Sequence, residues 1–254
     1  MNPAAESRFA RTELLYGEAA VRTLSRAHVA VFGLGGVGGH VVEALARSGV
    51  GALTLVDHDR VSLSNLNRQI IATEQTLGQY KADAARDRVL SINPACRVEA
   101  YRLFFLPDTR SEIDFSAFDY VADAVDNVTA KLTLIEAAKH AGVPVISAMG
   151  TGNKLDPTRL RVADLEDTRI CPLARVMRKE CRKRGLSGVK VVYSEEEPVA
   201  PHPQPDEPAP PRGEEAGSGT WVRATPASNA IVPATAGLLL ASEIINDIIK
   251  NTAE

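Results

Sequence analysis

His28-Val-Ala-Val-Phe32-Gly33-Leu-Gly35-Gly36-Val-Gly38-Gly39 is the stretch on which the reading of this chain turns. An apolar run, 29–32, leads straight into the glycine turn Gly33-x-Gly35-Gly36-x-Gly38, and a helical pattern of Val41, Val42, Leu45 and Ala46 comes next. Gly33 permits a tight turn, Gly35 lets a phosphate reach bare backbone N–H groups, and Gly38 lets the helix pack close to the strand. The helix start adds unpaired N–H donors and the positive end of the helix dipole. Strand, glycine turn and helix together predict a nucleotide-phosphate site.

The next apolar run, 52–56, ends at Asp57. An acid about 20 residues beyond such a turn grips ribose hydroxyls in dinucleotide enzymes, so on this evidence NAD is the default ligand. The residues beyond Asp57 point elsewhere. Arg60-Val-Ser-Leu-Ser-Asn65-Leu-Asn67-Arg68-Gln69 is succeeded by Gly78-Gln-Tyr-Lys81, and Asp123-Ala-Val-Asp126-Asn127 closes a further apolar strand. Hydride transfer has no evident use for an arginine and a lysine at the phosphate end, whereas a triphosphate does, because cations there stabilise charge that builds during displacement. Asp126 at a strand end suits Mg²⁺, which takes one or two carboxylates and keeps waters. The combination reads as an ATP site for attack at phosphorus.

These motifs, in this order, resemble the ubiquitin-activating-type adenylating enzymes, a superfamily that includes activators of sulfur-carrier proteins; the resemblance runs from Arg8 to about Met149 and returns near the C-terminus. Within it the chain resembles the tRNA threonylcarbamoyladenosine dehydratase branch, through Arg8-Phe9, Leu15-Tyr16-Gly17-Glu18, 45–51, Asn67-Arg68-Gln69-Ile70, Ile92-Asn93-Pro94 and 150–158. The resemblance implies a Rossmann-like, mostly parallel sheet flanked by helices, a homodimer, ATP and Mg²⁺ as cofactors, and tRNA as substrate. It implies that Gly33, Gly35, Gly36 and Gly38 form the phosphate turn, that Asp57 holds the ribose, and that Asn65, Arg68 and Lys81 contact phosphates. Asp59 and Asn127 belong to the same nucleotide set, and Asp126 would bind the metal; Arg68, Lys81 and Asp126 are the implied catalytic residues. Arg11 aligns with an arginine that, in the sulfur-carrier activators, reaches into the partner subunit's ATP site. Lys131 stands where many relatives carry arginine. The dehydratase branch can carry a cysteine before its last helix, where this chain has Pro226 and Ala227.

The implied reaction is adenylation of the threonyl carboxylate on adenosine 37, followed by ring closure with release of AMP. An intramolecular nucleophile has a large effective concentration, so the enzyme need not supply one. Two other readings stand beside it: adenylation of the C-terminus of a sulfur-carrier or ubiquitin-like protein, with a sulfur-relay partner, and an NAD-binding oxidoreductase or nucleotide sensor. Cys96, Cys171 and Cys181 form no Cys-x-x-Cys pair, so the four-thiolate zinc site of many carrier activators is missing. Cys171 precedes a helix start, where a thiol can be activated, although a small, partly buried residue is the plainer reading.

The individual residues also have plainer readings. Asp57 suits a turn cap, Lys81 a solvated helix, and Asp126 an N-cap for a helix starting near Thr129. Hydrophobic residues make up 44% of the 254 and charged residues 24%, an ordinary balance for one α/β domain spanning 1–254, with a nucleotide-binding half about 8–150 and a substrate and dimer half about 151–254. The N-terminus lacks signal-peptide character, and the cysteine usage fits a reducing cytoplasm. The apolar run at 231–249 carries Glu243, Asn246 and Asp247, so it reads as a packed helix rather than a membrane span.

Net charge is −3, which argues against a generally basic nucleic-acid binder. Yet Arg169, Arg175, Arg178, Lys179, Arg182, Lys183 and Arg184 crowd one stretch against Glu180. Arg175, Arg178 and Arg182 share a face at helical spacing, a patch for tRNA phosphates or simply a solvated basic helix. Strands are expected at 29–32, 52–56, 98–102, 119–123 and 143–147, and helices at 11–25, 39–48, 80–91 and 130–141. The Pro-rich stretch 198–219 is expected to be a mobile loop.

Overall fold

The computed structural model describes residues 7–202 and 226–250. Two short helices, α1 (Ala10–Tyr16) and α2 (Glu18–Leu24), precede β1 (His28–Phe32), α3 (Gly38–Arg47), β2 (Ala52–Val56), α4 (Lys81–Ile92) and β3 (Arg97–Tyr101). The chain continues through β4 (Tyr120–Asp123), α5 (Val128–His140), β5 (Val145–Ala148), β6 (Leu160–Asp164), α6 (Pro172–Lys183), β7 (Lys190–Ser194) and α7 (Ile231–Lys250). The seven strands form one sheet in the order β3-β2-β1-β4-β5-β7-β6. All neighbours pair in parallel except β6, which runs antiparallel to β7 at the edge.

The parallel strands form because their sequences are apolar on both faces. β1, β2, β4 and β5 are buried at every position, as a sheet covered on both sides requires. Alternate residues of β1 divide between two cores. Val29 and Val31 join Val41, Leu45, Val89 and Leu240 on the side of α3, α4 and α7. Ala30 and Phe32 face the other way, onto Phe105, Val121, Leu134 and Ala137 beside α5.

One element departs from expectation. The helix expected over 11–25 is two helices, because Gly17 at φ 88° takes a left-handed conformation that α-helix cannot continue through. A side chain at Gly17 would meet nothing within 4 Å, so its conformation and not space selects glycine there. Of the expected Pro-rich loop, residues 203–219 lie outside the described residues; Val199, just before them, donates its N–H to Asn153 O at 2.9 Å.

α7 has 20 residues and a mean hydropathy of 1.4, enough in length and composition to cross a membrane, but half of it is buried within the protein. A Cβ on Gly237 would come within 2.4 Å of Val37 O, so this helix lies almost backbone to backbone on the start of α3. At its far end Tyr120 Oη donates to Asp247 Oδ2 at 2.7 Å, and Lys190 Nζ bonds both Glu243 and Asp247. Its acidic residues thus anchor it to β4 and β7.

At the opposite end of the strands from the glycine turn, His28 packs edge-on against Phe118, with Nε2 2.9 Å from Thr54 Oγ1 and Nδ1 3.3 Å from Arg97 Nη2. Burial, reinforced by the Arg97 charge, lowers its pKa below the usual histidine value of 6.5, against the opposing pull of Glu99 and Asp119. The unfolded chain therefore binds this proton more readily than the folded one. Stability is full above pH 6.5 and declines as pH falls from there toward the lower folded value. Urea titrations at pH 7.5, 6.5 and 5.5 should show a shallower loss in His28→Gln than in the parent; parallel losses would remove His28 from the acid response.

Candidate active site

The strand order reverses direction at β1 and β4, and in open α/β sheets ligands bind outside the carboxyl ends of strands at such a switch point. A cavity of ≈ 340 Å³ lies there, beyond the ends of β1, β2 and β4. Its floor is the glycine turn. Gly33 sits at φ 82°, and a Cβ on it would come within 2.7 Å of Ala124 O. A Cβ on Gly38 would come within 1.7 Å of Gly33 O, so Gly38 serves close packing and does not line the cavity. Gly35 does line it, and a Cβ there would meet only Gln69 Nε2, at 3.8 Å. No side chain caps α3; the N–H groups of Gly39, His40 and Val41 bond back to Gly35 O and Val37 O, and it is the N–H groups of Gly35 to Gly38, without a partner among the described residues, that are left for a ligand.

The polar wall comes from the loops after β2 and β4. Asp57 is buried, with Oδ2 accepting from Leu34 N at 2.7 Å and Oδ1 from Asp59 N at 2.8 Å, so its carboxylate ties the glycine turn to the end of β2. Lys81 is 6% exposed and not the solvated side chain its helix context allowed; its Nζ donates to Asp59 Oδ2 at 2.8 Å. Burial works to raise the pKa of Asp59, but the Lys81 bond and charge, with His58, outweigh it and hold the carboxyl below the usual range.

Asn65 is buried and accepts from Ser62 N at 3.2 Å, closing a short 3-10 turn that aims the residues after it. Arg68 lies across Gly36, with Nη1 donating to Ser64 O at 2.9 Å and Asn67 Oδ1 at 2.8 Å. No carboxylate pairs with it among the described residues.

Asp126 is exposed at the cavity wall and makes no hydrogen bond or ion pair among the described residues. It is not the helix cap. α5 begins at Val128, and Asn127 is its N-cap, accepting from Ala130 N at 3.0 Å. Asn127 is therefore turned to the helix and does not line the cavity, and Arg11 stands exposed on α1, also outside the cavity wall. The structure gathers Gly33, Gly35, Gly36, Asp57, Asp59, Asn65, Arg68, Lys81 and Asp126 into one cavity, and leaves Gly38, Asn127 and Arg11 out of its lining.

Several wall residues have no role that the sequence motifs assign. His58 stacks on Phe104 with ring centroids 4.3 Å apart, and with Leu103 and Phe105 makes the apolar side of the cavity. The apolar triplet 103–105 just after β3 is the one signal the sequence offers for it. Gln69 is buried at the wall, and its Oε1 has no partner among the described residues. Behind the wall Lys131 is fully buried, its Nζ 3.1 Å from Asp123 Oδ2, 3.4 Å from Ser147 Oγ and 2.6 Å from Ala148 O. Asp123 in turn accepts from Ser147 Oγ at 2.5 Å and Val125 N at 3.1 Å. This network holds together the strand ends that carry Asp126 and Thr151 into the cavity.

All three cysteines are buried and free, so Cys171, the N-cap residue of α6, presents no accessible thiol. Burial pushes the Cys96 and Cys181 thiols up to about 11.

Comparison with known proteins gives a consistent picture. The profile of the ThiF family matches residues 8–254. The chain is 39% identical over 244 residues to the tRNA threonylcarbamoyladenosine dehydratase of Bacillus subtilis, covering 96% of this chain and 95% of that protein. The crystal structure of E. coli tRNA N6-threonylcarbamoyladenosine dehydratase, TcdA, in complex with ATP superposes with a TM-score of 0.84 at 33% identity, over 97% of this chain and 95% of that one. A sulfur carrier protein adenylyltransferase of Thermus thermophilus is 39% identical over 123 residues, 48% of this chain and 45% of that protein.

Proposed function

Since the chain belongs to the ThiF family, we propose that it is an ATP-dependent tRNA threonylcarbamoyladenosine dehydratase. The observation that carries the reading is a switch-point cavity with a bare glycine floor, flanked by a cation and a carboxylate, Arg68 and Asp126, that have no ion-pair partner among the described residues. A cavity of this make has a floor for phosphates, a cation for their charge and a free acid for a metal.

In this reading the phosphates lie over Gly35 and Gly36, and Asp57 and Asp59 face the ribose. A carboxylate oxygen of the substrate attacks the α-phosphorus, the bond to the bridging oxygen breaks and pyrophosphate leaves. Arg68 and Lys81 stabilise charge that accumulates on the phosphate oxygens. An atom of the same modification then attacks the activated carbonyl, closing the ring. AMP departs with the carboxylate oxygen, so the net change is loss of one water from the nucleoside. Apolar walls from Leu103, Phe104 and Phe105 help exclude bulk water, which would otherwise hydrolyse the activated acid.

Asp126 suits Mg²⁺: a single accessible carboxylate at a strand end is what an ion carried in by a nucleotide uses, the other positions being filled by phosphate oxygens and water. When bound, Mg²⁺ would offset phosphate charge. A homodimer accords with α1, which buries no residue and leaves Leu14 88% and Leu15 75% exposed on the helix that bears Arg11. Buried free thiols accord with a reducing cytoplasm.

Nucleoside mass spectrometry tests the reaction. tRNA carrying threonylcarbamoyladenosine, incubated with the protein, ATP and Mg²⁺, should yield a nucleoside lighter by one water only when ATP is present. No mass change, together with pyrophosphate exchange on adding a sulfur-carrier protein ending in Gly-Gly, would move the assignment to carrier activation, the activity that the name of the Thermus relative describes.

A further inference from the structure

α6 buries Ala174, Met177 and Cys181, a stripe that packs it into the core beside Leu132 and Ile135 of α5. The remaining surface carries the basic run, and the structure sorts its cations into two groups. Arg178 is half-buried and bound to Thr168, donating to its O at 2.8 Å and to its Oγ1. Lys183 and Arg184 both bond Glu180 at 2.7 Å, holding that carboxyl down at about 2, and Arg184 also pairs with Glu136 at 3.1 Å. Those three charges are engaged within the protein. Arg175, Lys179 and Arg182 are exposed and have no ion pair among the described residues. The face read from spacing, with Arg178 in it, is corrected to this set.

Residues at i, i+4 and i+7 share one face of a helix. From Arg175 to Arg182 that face runs about 10 Å at 1.5 Å per residue. A nucleic-acid strand presents about three phosphates over such a length. The helix that carries the row begins near the cavity: a Cβ on Gly150 would lie 3.8 Å from Leu173 Cβ in the first turn of α6, and the next residue, Thr151, is in the cavity wall.

We propose that Arg175, Lys179 and Arg182 form a phosphate-binding row that holds the RNA backbone of the substrate next to the cavity. The proposal rests on the tRNA reading above for the identity of the polyanion. Evenly spaced, unpaired cations suit a polyanion better than a protein partner, because the centre of a protein interface also needs aromatic or other large apolar residues, and this face offers only Val176.

The test is fluorescence anisotropy with a synthetic anticodon stem-loop RNA at several salt concentrations. Each phosphate contact contributes about 0.7–0.9 to the slope of log affinity against log salt. The triple variant Arg175→Gln/Lys179→Gln/Arg182→Gln should lose about 2–3 in that slope. The double variant Lys183→Gln/Arg184→Gln should keep it, because its charges are already neutralised. ATP binding, followed by calorimetry on the same proteins, should be equal in all and serves as the check on folding. An unchanged slope in the triple variant, or an equal loss in the double, overturns the row. Loss of affinity in the triple variant for an acidic carrier protein but not for RNA also overturns it, in favour of a protein partner. A lowered slope in a protein that fails to dehydrate modified tRNA upholds the row while refuting the reaction.

Discussion

Arg68→Ala should keep the fold and lose adenylation, with ATP–pyrophosphate exchange and nucleoside dehydration down by about 10³-fold or more, the range seen when a cation facing a transferring phosphoryl group is removed. The fold should survive because the guanidinium lies at the cavity wall and, among the described residues, bonds only to Ser64 and Asn67, four and one residues away. Losses of this local kind stay within about 0.5 kcal/mol. Arg68→Lys retains a charge without the planar fork, so it should fall between parent and alanine variant. Turnover equal to the parent in Arg68→Ala would remove the residue from phosphate contact.

The second large effect is on stability. Lys131 and Asp123 form an ion pair with side chains 1% and 0% exposed, at 3.1 Å. Removing one partner strands the other charge in a low-dielectric interior, which costs about 3–5 kcal/mol. Lys131→Met should therefore unfold at distinctly lower urea. Lys131→Met/Asp123→Asn should recover part of the loss, since no unpaired charge remains. A deficit under about 1 kcal/mol in the single variant would mean that the pair contributes far less than its burial implies. The damage should also reach ATP binding, because Asp123 fixes Val125 N, one residue before Asp126.

The sheet and its site were legible to different depths. β1, the turn and α3 were readable because Gly33 and Gly38 are glycines for reasons that local geometry alone supplies, a positive φ and a 1.7 Å approach. Asp57, Asn65, Arg68 and Lys81 could be grouped from the sequence through the family resemblance, and the structure brings them to one cavity because all four lie in the single segment between the end of β2 and the first residue of α4. The burial of Lys131 was not readable, since a lysine in a helical pattern reads as solvated until the interior strands beneath it, β4 and β5, are known. The exchange of roles between Asp126 and Asn127 turned on a one-residue difference in where α5 begins, the least certain feature of any sequence reading. The stack of His58 on Phe104 joins loops from two strands, and no single window of sequence contains it.

The cavity is also completed late in the making of the protein. Ser228 O, in its wall, accepts from Asn67 Nδ2 across 161 residues, and Pro233 of α7 lies 3.1 Å from where a Cβ of Gly36 would be. At a synthesis rate of about 5–20 residues per second, the glycine turn waits roughly 10–40 s for the segment that closes over it. During that interval the nascent chain displays the apolar surface that α7 will cover, a natural client surface for chaperones. Ser228 and Pro233 join the cavity wall only once the last helix has docked, so a nucleotide that touches them would favour, by mass action, the docked state over every earlier one.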